Sequence, residues 1–248
     1  MTAGRAAFDR LLAQNRTWAR AMEAERPGFF AGLSGQQRPR YMWIGCSDSR
    51  VPANQITGLQ PGEVFVHRNV ANLVVHSDLN ALSAVQFAVD RLRVEHILVV
   101  GHHGCSGVQA ALDGTRIGLA DHWIRHVRDV RARHDHRLAE FPRDVQPLVL
   151  CELNVLEQVA NICASSVLAD AWAAGQPLHV HACVYSLKDG LLRDLGMSIA
   201  DGKDLPASYC AAVERLFVRS RSGLSGADAC ACGEPHVVQP EAEMAVQR

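Results

Sequence analysis

The sequence lacks any long apolar run. Nowhere in its 248 residues does an uninterrupted hydrophobic stretch approach the roughly 20 residues that a membrane-spanning helix needs. The segment Met1–Arg20 is broken by Arg5, Asp9, Arg10 and Arg16, which is unlike a secretory signal. A soluble, cytoplasmic chain with no membrane partner is therefore expected. An excess of one charge sign is also lacking. Lys and Arg total 25 against 26 Asp and Glu, a formal net charge of −1. That leaves no counterion-releasing surface, and no nucleic-acid partner is expected. No Cys-x-x-Cys occurs, which argues against a redox-active dithiol. The eight cysteines are even in number, but a chain this long without a signal does not need disulfide staples. Reduced thiols, some buried and some metal-binding, fit better.

What is present is a globular composition. Apolar residues make up 48% and charged residues 21%, enough for a sizeable core and too little charge for disorder. Residues 5 to 24 carry Phe8, Leu11, Leu12, Trp18 and Met22 at helical spacing, so an amphipathic helix is predicted that must dock on something. Tyr41–Ile44, Glu63–His67 and the β-branched run His96–Val100 read as strands. Ser77 or Asp78 caps a helix whose apolar positions are Leu79, Leu82, Val85, Val89 and Leu92. A helix rich in Arg and His is expected over 119–137. Residues 148–174 read as mostly helical, with a break near 163–166. Leu178–Tyr185, followed by Lys188-Asp189-Gly190, reads as a hairpin, and a last helix is expected over 206–219. Alternating strands and helices point to an α/β fold with a mainly parallel central sheet flanked by helices. Residues 1–220 form one domain in this reading, and 221–248 form a loosely ordered tail.

Two segments leave predicted strands carrying metal-ligand side chains. One is Cys46-Ser47-Asp48-Ser49-Arg50; the other is His102-His103-Gly104-Cys105. In parallel α/β sheets, sites gather beyond the carboxyl ends of strands. If those two strands are neighbours, Cys46, His102 and Cys105 converge. Two thiolates and one imidazole suit Zn2+, and three protein ligands leave one tetrahedral position open, the mark of a catalytic site. Asp48 and Arg50 stand two apart, so an extended backbone puts them on one side. Arg50 then holds the Asp48 carboxylate through paired hydrogen bonds. A released Asp48 would become a fourth ligand. His103 follows His102 directly, so its side chain should point elsewhere. Taken singly, each feature has a plainer reading: a lone Cys is usually a small buried hydrophobe and a lone Asp-x-Arg a weak surface pair. Their order and placement after strands favour the metal reading.

These motifs resemble the signature of the β-class carbonic anhydrases. The similarity extends through Thr57-Gly58, Pro61-Gly62-Glu63, His67–Asn72 and Cys151–Val155. The resemblance implies Cys46, His102 and Cys105 as zinc ligands, with Asp48 as a conditional fourth and Asp48 and Arg50 as the catalytic dyad. It implies reversible hydration of carbon dioxide to bicarbonate. It also implies a dimer, or dimer of dimers, in which the N-terminal helix packs on a partner subunit. One branch of the family has a second, non-catalytic bicarbonate site, and the matching positions here are Trp43, Arg68 and Tyr185. In that branch Asp48 should move from Arg50 to zinc at lower pH or with bicarbonate bound. Ser106 departs from the Gly common after the second Cys. Cys151, Cys163, Cys183 and Cys210 read as buried thiols; Cys230-Ala231-Cys232 with His236 could bind adventitious metal, but a floppy tail is the better reading. Two other functions use the same scaffold: hydrolysis of carbon disulfide or carbonyl sulfide, and a catalytically dead bicarbonate sensor.

Overall fold

The structure, a computed structural model, describes residues 3–223. In chain order the helices and strands are α1 (Ala3–Glu25), α2 (Phe29–Gly35), β1 (Tyr41–Cys46), α3 (Ala53–Thr57), β2 (Val64–Asn69), α4 (Leu79–Gln86), β3 (His96–His102), α5 (Ser106–Asp113), α6 (Ala120–Arg133), α7 (Asp135–Ala139), α8 (Gln146–Cys163), α9 (Ser166–Ala173), β4 (His179–Tyr185), β5 (Leu192–Ile199) and α10 (Leu205–Gly223).

The five strands form one sheet in the order β2-β1-β3-β4-β5. The first four are mutually parallel, and β5 returns antiparallel to β4 as the expected hairpin. Side chains on β1, β3 and β4 alternate between two faces. Met42, Ile44, Ile97, Val99, Val180, Ala182 and Val184 enter the main core with α8. Trp43, Val100, Cys183 and Tyr185 form a smaller cluster on the other face with Val51 and Ala53. Burial on both faces explains why β1 and β3 read as nearly continuous apolar runs. Among the described residues, no single helix is long and apolar enough to cross a membrane. The apolar pair α8 and α9 is bent by 60°, and most of α8 is buried.

Some boundaries differ from the sequence reading. Asp78, not Ser77, caps α4 by accepting a hydrogen bond from the Asn80 amide. Of the expected apolar positions Val85 and Val89 are buried and Leu82 and Leu92 partly so, but Leu79 is 79% exposed, and Ala81 and Ala88 complete the buried face. The Arg- and His-rich helix breaks at His134, whose backbone leaves the helical region between α6 and α7. The last helix runs to Gly223, three residues past the expected domain limit; Cys230, Cys232 and His236 lie outside the described residues. Cys210 is exposed rather than buried.

Candidate metal centre

β1 and β3 are parallel neighbours in register, with Gly45 opposite Val100. They flank the point where strand order reverses, so both ligand loops open at the crevice such sheets use for sites. Cys46 is the last residue of β1 and His102 the last of β3. After the left-handed turn at Gly104 (φ 78°), Cys105 stands at the start of α5. The Cys46, His102 and Cys105 ligand atoms all lie within 4.8 Å of one another, and all three residues are buried. The two sulfurs are 3.9 Å apart. His102 Nδ1 donates to the His103 carbonyl at 3.3 Å, which fixes the tautomer and leaves the Nε2 lone pair free. That Nε2 is buried and has no hydrogen-bond partner.

A buried nitrogen with a free lone pair beside two thiols is the donor set zinc takes. The thiols reinforce this. Cys46 is pulled well below the usual thiol range, chiefly by the Cys105 S–H donating to it, and Cys105 is pushed up by the same contact and by burial. A dication between the two sulfurs would replace the proton in this contact and favour both thiolates.

The ligands are braced from behind by the loop after β2, part of the His67–Asn72 segment that carried the resemblance, though its role was not read from the sequence. Ala71 and Asn72 adopt left-handed backbone (φ 64° and 48°), a conformation that costs alanine about 1–2 kcal/mol. This turn aims the Ala71 N–H at Cys46 Sγ, 3.4 Å away. Asn154 Nδ2 on α8 donates to the Ala71 carbonyl at 2.9 Å, and Gln158 Oε1 accepts from the Val74 amide at 2.8 Å. Gln158 Nε2 in turn donates to Asn154 Oδ1 at 3.0 Å. Cys151 S–H donates to the His102 carbonyl at 3.1 Å, so this thiol positions a ligand besides filling the core. A Cβ on Gly101 would lie 2.5 Å from Val155; glycine there lets α8 approach β3 closely enough for these bonds. The motif Cys151–Val155 was visible in the sequence. The left-handed alanine gave no signal, because nothing in an alanine announces a positive φ.

Asp48 and Arg50 are paired, but not across an extended strand. Residues 48–51 form a tight turn, with the Val51 amide donating to the Asp48 carbonyl at 3.2 Å. Asp48 Oδ1 accepts from both the Arg50 amide (2.9 Å) and Arg50 Nε (3.0 Å), and Oδ2 accepts from Arg50 Nη2 at 2.7 Å. The short reach of the Asp side chain to the amide two residues on makes this turn locally favourable. The Arg50 guanidinium holds the Asp48 carboxyl well below its usual range. Asp48 Oδ2 also lies 3.7 Å from His102 Nε2, at the mouth of the ligand cluster.

Arg68, on β2, donates through Nε to the Cys46 carbonyl at 2.8 Å and through Nη2 to the Asp48 carbonyl. It therefore clamps the strand end that carries ligand and carboxylate. Trp43 and Tyr185 lie in the same small cluster on the second sheet face, and Trp43 Nε1 is buried without a hydrogen-bond partner. The His103 ring points away from the ligands and donates to Glu152 Oε1 at 3.1 Å; the second Glu152 oxygen accepts from Arg219. Ser106 opens α5 and is exposed.

A three-ligand Cys–His–Cys group beside a held carboxylate, at the carboxyl ends of parallel strands, defines a mononuclear zinc enzyme with room for an exchangeable ligand. The profile of the carbonic anhydrase family matches residues 41–192, and the chain belongs to that family, in its β class. It is 44% identical to a carbonic anhydrase of Emericella nidulans over 191 residues, covering 76% of this chain and 83% of that protein. A Coccomyxa β-carbonic anhydrase solved with acetazolamide superposes with a TM-score of 0.78 at 40% identity, over 86% of this chain and 97% of that one. A tetrameric β-carbonic anhydrase of Sordaria macrospora gives 0.75 at 36% identity, over 79% and 100%. β-Carbonic anhydrases are zinc enzymes, and the grouped Cys46, His102 and Cys105 supply the matching site.

Proposed function

We propose that the chain hydrates carbon dioxide reversibly to bicarbonate and a proton, and that Asp48 exchanges between Arg50 and the metal to open and shut the site. The observation that carries this reading is the position of Asp48. Its Oδ2 is bound to Arg50 yet lies 3.7 Å from the unpartnered Nε2 of His102. Two donor atoms on one tetrahedral zinc stand roughly 3.3 Å apart, given ligand distances of about 2.0–2.1 Å. A small movement off Arg50 would thus put the carboxylate on the metal.

Cys46, His102 and Cys105 hold the zinc. When bound, zinc supplies Lewis acidity that brings the pKa of a coordinated water to about 7. Asp48, ionised and held by Arg50, accepts a hydrogen bond from the attacking group and orients it toward carbon dioxide. Arg50 keeps that carboxylate off the metal. Because Arg50 holds the Asp48 pKa far below neutrality, Asp48 stays ionised throughout the working range. Any change near pH 7 to 8 therefore reflects competition for the metal, not protonation of Asp48.

The second bicarbonate site fits the same reading. Trp43 offers an unpartnered buried N–H, and Arg68 holds the Cys46 and Asp48 carbonyls. An anion that drew Arg68 away would loosen the turn that keeps Asp48 on Arg50. The assembly reading rests on α1, which leaves Phe8, Leu11 and Trp18 exposed by 52%, 58% and 46%. Such a stripe suits burial against a second subunit, and the Sordaria relative is tetrameric.

The test is stopped-flow carbon dioxide hydration on zinc-loaded protein from about pH 7 to 8.5, the range above a metal-water pKa of roughly 7. Activity should rise across this range, and added bicarbonate should shift the rise to higher pH. A flat profile would remove the switch. Parallel assays with carbon disulfide and carbonyl sulfide separate the hydrolase alternative.

A further inference from the structure

The ends of β3 and β4 opposite the catalytic centre carry three imidazoles. His96 and His179 are direct partners across the parallel ladder, and His181 stands two residues further along β4 on the same face. The ring centroids of His96 are 5.3 Å from His181 and 5.5 Å from His179, and those of His179 and His181 are 6.1 Å apart. We propose that His96, His179 and His181 form a second metal site, for a borderline divalent transition ion such as Ni2+ or Zn2+.

The geometry supports this in three ways. First, His96 Nδ1 and His181 Nε2 are 3.1 Å apart, close to the roughly 3.3 Å between two nitrogens on one tetrahedral ion with metal–nitrogen distances of about 2.0–2.1 Å. The two nitrogens face each other across a single shared proton, which an ion would replace. Second, three imidazoles on one such ion have centroids roughly 5 Å apart, near all three separations here. His179 is partly buried and its ring lies nearly parallel to those of His96 (29°) and His181 (11°), so metal binding requires it to turn a nitrogen toward the pair. Third, His181 has an outer partner of the kind metal-ligating histidines use: its Nδ1 is 2.8 Å from Ser198 Oγ on β5.

The surroundings leave the rings ready as ligands. Burial, and then the neighbouring imidazoles, push His96 and His181 below the usual imidazole range, so both are neutral at pH 7. Nearby charges are mixed: Glu95 is engaged by Arg40, and Asp194 faces His181. Such an ion would tie β3 to β4 about 20 Å from His102, six strand residues away. It would be a structural clip and not part of the catalytic centre.

The experiment uses full-length, zinc-loaded protein titrated with Ni2+ by calorimetry, with metal analysis after desalting. One Ni2+ per chain should bind beyond the catalytic zinc, with micromolar affinity and a raised Tm. His181→Gln and His179→Ala should each weaken Ni2+ binding by about tenfold or more, with the catalytic zinc content unchanged. If His181→Gln fails to fold, His179→Ala, at a partly buried strand-end position, decides alone. A C230S/C232S/H236N variant removes competing ligands in the C-terminal tail and should retain the Ni2+. Binding that survives both histidine variants, that disappears with the tail variant, or that needs millimolar Ni2+ would overturn the proposal.

Discussion

Cys46, His102 and Cys105 are buried, and the two strand-end ligands are fixed through atoms other than those that meet the metal. Cys46 is held by Arg68 on its carbonyl and the Ala71 amide on its sulfur; His102 is held through Nδ1 and through Cys151 on its carbonyl. Asp48 and Arg50 lie only a few residues away, yet their side chains hold mainly each other, with Arg50 56% exposed. The ligand set is a rigid cradle braced by α8 and β2, while the dyad is a short turn at its rim. A metal site needs the first to keep its ion. An arm that must let go of one partner and take another needs the second.

That contrast can be broken most severely at the cradle. Cys46→Ala or His102→Ala should lose zinc and reduce hydration to the uncatalysed background, read by metal analysis and stopped-flow assay. At the rim, Arg50→Ala should keep its zinc but lower kcat by about 10²-fold or more, the usual scale for a preorganised electrostatic group; full activity in that variant removes the dyad role. Asn154→Ala probes the brace itself. It leaves the buried Ala71 carbonyl without a donor, so stability should fall by about 1–3 kcal/mol and zinc affinity by about 10–100-fold, measured by urea melts and competition with a chelator.

A finer test follows from the sulfur pair. Because the Cys46 and Cys105 sulfurs meet in a hydrogen-bonded contact that the metal would replace, zinc uptake by the apoprotein should release protons. Calorimetry in buffers of different ionisation enthalpy measures this. The smallest effect belongs to Asp48. Its folded pKa lies below its ordinary value of 3.8, so its pairing with Arg50 stabilises the fold fully above that value and fades as pH falls below it. The difference in unfolding free energy between the native chain and Asp48→Asn should stay level from about pH 8 to 5 and shrink below about pH 4. A difference that shrinks between pH 7 and 5 would show that Arg50 does not depress this pKa.

The cradle was more legible in the sequence than the rim. Two ligand motifs directly follow β-branched or apolar runs, and the rule that sites lie beyond strand carboxyl ends is enough to place Cys46, His102 and Cys105 together. The Asp48–Arg50 pairing was also expected, but for the wrong backbone: an Asp side chain closing a turn on the amide two residues on replaced the extended strand. The conformation of the brace was hidden for a deeper reason. The left-handed backbone at Ala71 is one that alanine disfavours, and the loop is held by Asn154 on the Ala71 carbonyl and Gln158 on the Val74 amide, more than 80 residues away. In α4 and the turn after it, the expected Val85 and Val89 face the core, but Leu79 at the helix start does not, and Ala81 and Ala88 share the buried face with the valines. The apolar stripe on α1 was legible as a helix face that the rest of the chain leaves exposed.

Gly45 has a consequence of its own. A methyl group built there would fall 2.1 Å from Trp43 Nε1, so the indole rests where any other residue would place its first side-chain carbon. Alanine at 45 would evict the tryptophan from its seat while standing next to a ligand whose sulfur points to the opposite face. One absent carbon therefore joins the indole's resting place to the strand end that presents Cys46, and neither could drift in evolution without disturbing the other.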